Sequence, residues 1–115
     1  MDYMLKNENR KLIVYGASAS SHDQRLISIK RATEKLAQQL NLCFKMVKQT
    51  KGVNQIFVYY ENENDDPIPL YCNEGKCEDK EEEICKKIRN MIFVLSFHPK
   101  HTALKHMRSE IMMSA

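Results

Sequence analysis

Residues 53–60 read Val53-Asn54-Gln55-Ile56-Phe57-Val58-Tyr59-Tyr60. β-Branched and aromatic side chains alternate there, with Ile56, Val58 and Tyr60 on one face and Phe57 and Tyr59 on the other, as a pleated strand requires. It is the most strand-like segment of the chain and is expected at the centre of a sheet. Two flanking stretches share its character. Leu42, Phe44 and Met46 alternate with Cys43, Lys45 and Val47, the pattern of a half-exposed strand, and Thr50-Lys51-Gly52 supplies the turn between the two. Downstream, the polar loop Glu61–Asp66 leads to Ile68, Leu70 and Cys72 alternating with Pro67, Pro69 and Tyr71. Prolines two residues apart remove hydrogen-bond donors from the same side of a strand, which places this one at the rim of the sheet.

Further upstream, Lys11–Gly16 (KLIVYG) is a short apolar run ended by glycine and reads as a strand buried on both faces. From about residue 22 to 40, Leu26, Ile29, Leu36 and Leu40 fall on one helical stripe, and Arg25, Lys30, Arg31 and Lys35 occupy the other face. Toward the C-terminus, Glu81-Glu82-Glu83 suits the positive first turn of a helix, with Ile84, Ile88, Met91, Ile92 and Leu95 following at helical spacing. That helix is expected to continue through the apolar 91–97 stretch to about Phe97, where Pro99 disfavours helical geometry at His98. A last helix from about His101 to Met113 has Leu104, Met107, Ile111 and Met112 on one face, with Lys105, Arg108 and Glu110 elsewhere.

The order is β-α-β-β-β-α-α. It predicts a single α+β domain over residues 11–115, preceded by a polar leader at 1–10, with a largely antiparallel four-stranded sheet and helices on one face. A right-handed crossover through the first helix would make the first two strands parallel. With 115 residues, 43% apolar and 29% charged, one core is enough, and Gly and Pro are too few for linkers or glycine-lined phosphate cradles.

Charge is segregated along the chain. Residues 1–60 carry net +6, residues 61–83 net −8 and residues 84–115 net +5. Faces of opposite sign steer partners more than they set the fold. The polar N-terminus lacks the apolar core of a signal peptide, so a cytoplasmic location is expected, with its cysteines as thiols. The longest apolar run, Met91–Leu95, is far shorter than the ~20 residues that span a bilayer, so no membrane association is expected.

Few constellations suggest chemistry. The stretch Gly16–Asp23 joins a strand to a helix start, and Ser18, Ser20 and Ser21 there are candidate anion ligands. It lacks the spacings of phosphate-binding loops and of a nucleophile elbow. Cys72, Cys77, Cys85, His98 and His101 are soft ligands, but their spacing matches no common zinc pattern. No catalytic residue, metal or cofactor is assigned.

Helix, three strands, helix is also the order of double-stranded RNA-binding domains, and the likeness stops at order. Their second helix offers basic residues to phosphate, where this chain has Glu81-Glu82-Glu83. The function expected is therefore that of a small non-catalytic regulator or adaptor acting by protein–protein contact, with another protein or with a second copy of itself. The 84–97 helix is apolar nearly all round, more than one small domain readily covers. Phe93, Phe97, Leu104, Met107, Ile111 and Met112 are the candidate contact residues. The alternative is nucleic-acid binding by a basic surface of Arg31, Lys35, Lys45, Lys48 and Lys51.

Overall fold

The 56–60 stretch is central, as its composition demands. In the computed structural model, which describes residues 7–17, 24–49, 55–62, 66–75, 79–105, 107, 108 and 111, β3 (Ile56–Asn62) lies between β1 (Asn7–Ala17) and β4 (Ile68–Asn73). β2 (Leu42–Gln49) pairs with the far side of β1, giving the order β2-β1-β3-β4. β1 runs parallel to β2 and antiparallel to β3, and β3 is antiparallel to β4. The sheet is therefore mixed, and the one parallel pairing is made by the crossover through α1 (Gln24–Gln39). β1 begins at Asn7, ahead of the apolar run, with a register irregularity between Asn7 and Lys11.

Leu12, Ile13 and Val14 of β1 are all buried, so this strand is covered on both faces. Leu12 and Val14 share the helix-facing side with Ile56, Val58 and Tyr60 of β3 and Ile68 and Leu70 of β4. Ile29, Leu36 and Leu40 from α1 and Ile84, Ile88 and Ile92 from α2 (Glu81–Leu95) complete that core. Gly16 allows the close approach of α1, because a Cβ there would lie 2.8 Å from Leu26 Cδ1. α1 ends where Asn41 adopts φ 57°, a left-handed conformation that asparagine tolerates and helices use as a stop.

α2 opens with Glu81, Glu82 and Glu83 at its positive end, and the Glu83 carboxylate accepts the Lys80 N–H at 3.4 Å. The 91–95 stretch is helical. The last turn then tightens, with Phe97 N–H bonded to Val94 O and His98 N–H to Leu95 O, so the helix stops at Leu95, just before Phe97. A 3-10 turn at Pro99–His101 leads into α3 (Thr102–Lys105). Met107 N–H then bonds Leu104 O, and Ile111 N–H bonds Met107 O.

The structure corrects two expectations. The sequence pattern offers Leu104, Met107 and Ile111 as a contact surface, yet all three are buried in the core cluster, because the chain after α2 folds back over it. They are structural residues. The second correction is at β4. Val58 pairs with Tyr71 and Tyr59 with Pro69, so Leu70 is an extra residue in the ladder. This β-bulge resets the alternation, placing Leu70, Tyr71 and Asn73 on the helix side. Cys72, which the alternation groups with Ile68 and Leu70, is exposed and paired with Phe57 on the opposite face.

Candidate functional site

Apolar spacing alone cannot decide which side of an all-round apolar helix is covered, but the polar positions of α2 do. Lys87 stands four residues before Met91, and Asn90 four before Val94, so these polar residues mark the solvent side. Along that side Met91, Val94 and Phe97 are 41%, 63% and 58% exposed, the large apolar side chains left outside the core among the described residues. Phe93 differs: it is half-buried and packs on the core, with its ring edge-on to Phe97 at 5.1 Å.

The exposed stripe borders a groove of about 630 Å³ between α2 and the end of β4. Leu70, Tyr71, Met91 and Val94 line its apolar part, and Asn73, Asp79 and Lys87 its polar part. The bulge at Leu70 creates this wall, since it turns Tyr71 toward α2. There the Tyr71 hydroxyl donates to Asp79 Oδ2 at 2.6 Å, and Lys87 Nζ approaches the same oxygen at 3.0 Å. Both contacts hold the Asp79 carboxyl below the usual aspartate range, the tyrosine hydrogen bond first and the lysine second. Buried Asn73 closes the groove at β4, accepting from Arg25 Nη1 at 3.1 Å and from Gly75 N–H at 2.8 Å. The arrangement offers a partner an apolar trough with a neutralised ion pair at its rim, chemistry suited to docking a side chain.

At the other end of the stripe the Arg108 guanidinium stacks 3.8 Å above the Phe97 ring. Of the remaining candidate contact residues, Met112 lies outside the described residues, as do the candidate anion ligands Ser18, Ser20 and Ser21.

The basic residues expected to bind nucleic acid do not gather on one surface. Lys45 pairs with Ile13 and lies on the sheet face away from the helices, whereas Lys48 pairs with Gly16, whose side of the strand faces α1. Arg31 and Lys35 are exposed on α1, and Lys51 lies outside the described residues. The face away from the helices carries half-buried aromatic rings instead. Tyr15 and Tyr59 meet edge-on at 5.5 Å, Phe57 and Tyr59 lie 6.2 Å apart, and the Tyr15 hydroxyl donates to Glu61 Oε2 at 3.0 Å. Burial, then the Glu61 hydrogen bond and charge, raise the Tyr15 phenol above its ordinary range.

Among the described residues no three His, Cys, Asp or Glu side chains are placed to share a metal ion, and no helix is long and apolar enough to cross a membrane. Comparison with protein-family models, curated proteins and solved structures finds no match.

Proposed function

We propose that this chain is a small, non-catalytic cytoplasmic regulator or adaptor that binds another protein through the outer side of α2. The observation that supports this reading is the stripe Met91, Val94 and Phe97, exposed at successive helical positions and continuous with the Tyr71–Asp79–Lys87 groove. Leaving three large apolar side chains in water forgoes the favourable transfer free energy that a partner would recover, about 1.5–3 kcal/mol for each one fully covered. The matching ligand is an amphipathic segment that lays apolar side chains along the stripe and into the groove. Glu81, Glu82 and Glu83 at the start of α2 favour a basic flank on that segment and speed its association. The test is affinity capture with the wild-type chain and with Met91→Asp/Val94→Asp, followed by titration of the captured protein. The reading expects a partner held by the wild type and lost by the variant while the circular dichroism spectrum is unchanged. Equal affinity for both chains overturns it.

A second reading rests on the sheet face away from the helices. Tyr15, Phe57 and Tyr59 form a contiguous ring cluster there, with Lys45 in the same row as Ile13 and Tyr59, and such a surface stacks the bases of single-stranded nucleic acid. It predicts oligonucleotide affinity that falls steeply with salt and is reduced by Tyr59→Ala. A flat salt response removes it.

A further inference from the structure

The two rims of the sheet are unlike. β4 is preceded by Pro67 and carries Pro69 and a bulge, devices that blunt an edge against further strands. β2 carries neither. Its residues, LCFKMVKQ, contain no proline or glycine and stay in continuous register with β1 from Cys43 to Gln49. Among the described residues no strand lies on its other side, and an edge strand of this kind is a template for further pairing. Cys43, Phe44, Met46 and Val47 are only half-buried, on both faces of this rim.

We propose that β2 pairs antiparallel with β2 of a second copy of this chain, about a two-fold axis at Met46, joining two sheets into one. The side-chain pattern selects that register. Cross-strand partners lie on the same face, and centring on Met46 sets Lys45 against Val47 and Phe44 against Lys48 of the second copy. No lysine directly faces a lysine. Centring on Lys45 opposes two lysines, which is unfavourable, and centring on Phe44 or Val47 shortens the overlap.

α1 supports the same symmetry. Arg25, Ala32 and Gln39 form the stripe that meets β4 and α2, through Arg25 to Asn73, Cys85 Sγ to Ala32 O and Arg89 to Gln39. Lys30 and Glu34, one turn apart, lie about half a turn round α1 from that stripe, on its other flank. A two-fold axis across β2 runs the two α1 helices antiparallel and brings Lys30 of each copy toward Glu34 of the other, a reciprocal charge match. The seam is independent of the α2 docking face, since α2 packs beside β4 at the far rim.

The test is sedimentation equilibrium of the full chain over a wide concentration range, with charge changes at Val47. Val47→Glu places a carboxylate opposite Lys45 of the second copy and is expected to tighten the dimer. Val47→Lys opposes two lysines twice over and is expected to weaken it about tenfold or more. In a background with Cys43, Cys72 and Cys77 changed to serine, Met46→Cys should form a disulfide-linked dimer on mild oxidation, because residues at the axis lie within disulfide reach. Lys45→Cys, placed diagonally, should link far less. A wild-type chain that stays monomeric at every concentration overturns the proposal, as does equal cross-linking at both positions. A dimer that survives Val47→Lys and is lost with Val94→Asp also overturns it, assigning self-association to α2.

Discussion

Arg108 grips Ser96 at two points: its Nε donates to the Ser96 hydroxyl at 3.0 Å and its Nη2 to the Ser96 carbonyl at 2.8 Å. Ser96 is fully buried at the C-cap of α2, and its hydroxyl in turn donates to Phe93 O at 2.6 Å. The guanidinium plane is also spread over Phe97. One side chain therefore ties the segment after α3 to the end of α2, and it holds Leu104 and Met107 against the core.

Arg108→Ala is expected to cost about 2 kcal/mol, since it removes charge-assisted hydrogen bonds and a cation–π contact and leaves the Ser96 carbonyl without that donor. Arg108→Lys should recover less than half, because an ammonium cannot reproduce the planar fork. Urea denaturation of the three chains measures this. Equal midpoints with equal slopes would show that the grip does not stabilise the fold.

The division between core and exposed stripe predicts opposite outcomes for neighbouring apolar residues. Met107→Ala and Leu104→Ala should each lose about 2–5 kcal/mol, because both side chains are fully buried and truncation leaves a cavity. Val94→Ser, on the exposed stripe, should change stability by no more than about 0.5 kcal/mol. Thermal melts that rank Val94→Ser with the core substitutions would mean the stripe is covered in the isolated chain.

What could be read in advance follows from the range of the interaction concerned. The alternation at Ile56–Tyr60, the Pro67 and Pro69 rim and the in-phase 84–95 stripe are local patterns, and each element formed where its pattern lies. The surplus of apolar surface on α2 was legible too, from a helix apolar nearly all round. Which residues form that surplus shows only when the polar positions Lys87 and Asn90 are read with the apolar ones. Met91 keeps phase with Ile84 and Ile88 yet is exposed on the Lys87 side, whereas Leu104 and Met107 are drawn inward by a reversal of the chain after Ser96. The bulge at Leu70 is likewise a property of pairing with β3, so no spacing within β4 announces that Tyr71 turns inward and Cys72 outward. Arg108 reads as a solvent-facing charge until its partner twelve residues earlier is in place.

Asp79 gives the groove a pH dependence of known sign. Its folded carboxyl is held below the ordinary aspartate value, so the stabilisation is complete above about pH 4 and is lost as pH falls from there through the depressed folded value. Asp79→Asn should cost about 1–2 kcal/mol at pH 7, from the hydrogen bonds of Tyr71 and Lys87, and the two chains should converge as pH falls below the depressed folded value. Tyr71→Phe should show a smaller loss with the same convergence. A stability difference that persists unchanged into acid would contradict the assignment.

The thiols of Cys72 and Cys85 should differ in what limits their reaction. Burial raises the Cys85 thiol foremost, and its Sγ contacts Ala32 O at 3.6 Å between α1 and α2, so a reagent reaches it only when the two helices separate. Its labelling rate should therefore track denaturant in step with global unfolding. Cys72 is exposed at the rim, but partial burial and then the charge of Glu74 raise its thiol, which lowers the fraction present as reactive thiolate at neutral pH. It should react in the native state, more slowly than an unstructured cysteine, and Glu74→Gln should accelerate it without altering Cys85. Site-resolved labelling by mass spectrometry at pH 7.5 separates the two. Native-state labelling of Cys85 at the rate of Cys72 would place its sulfur at the surface and undo the packing of α1 on α2.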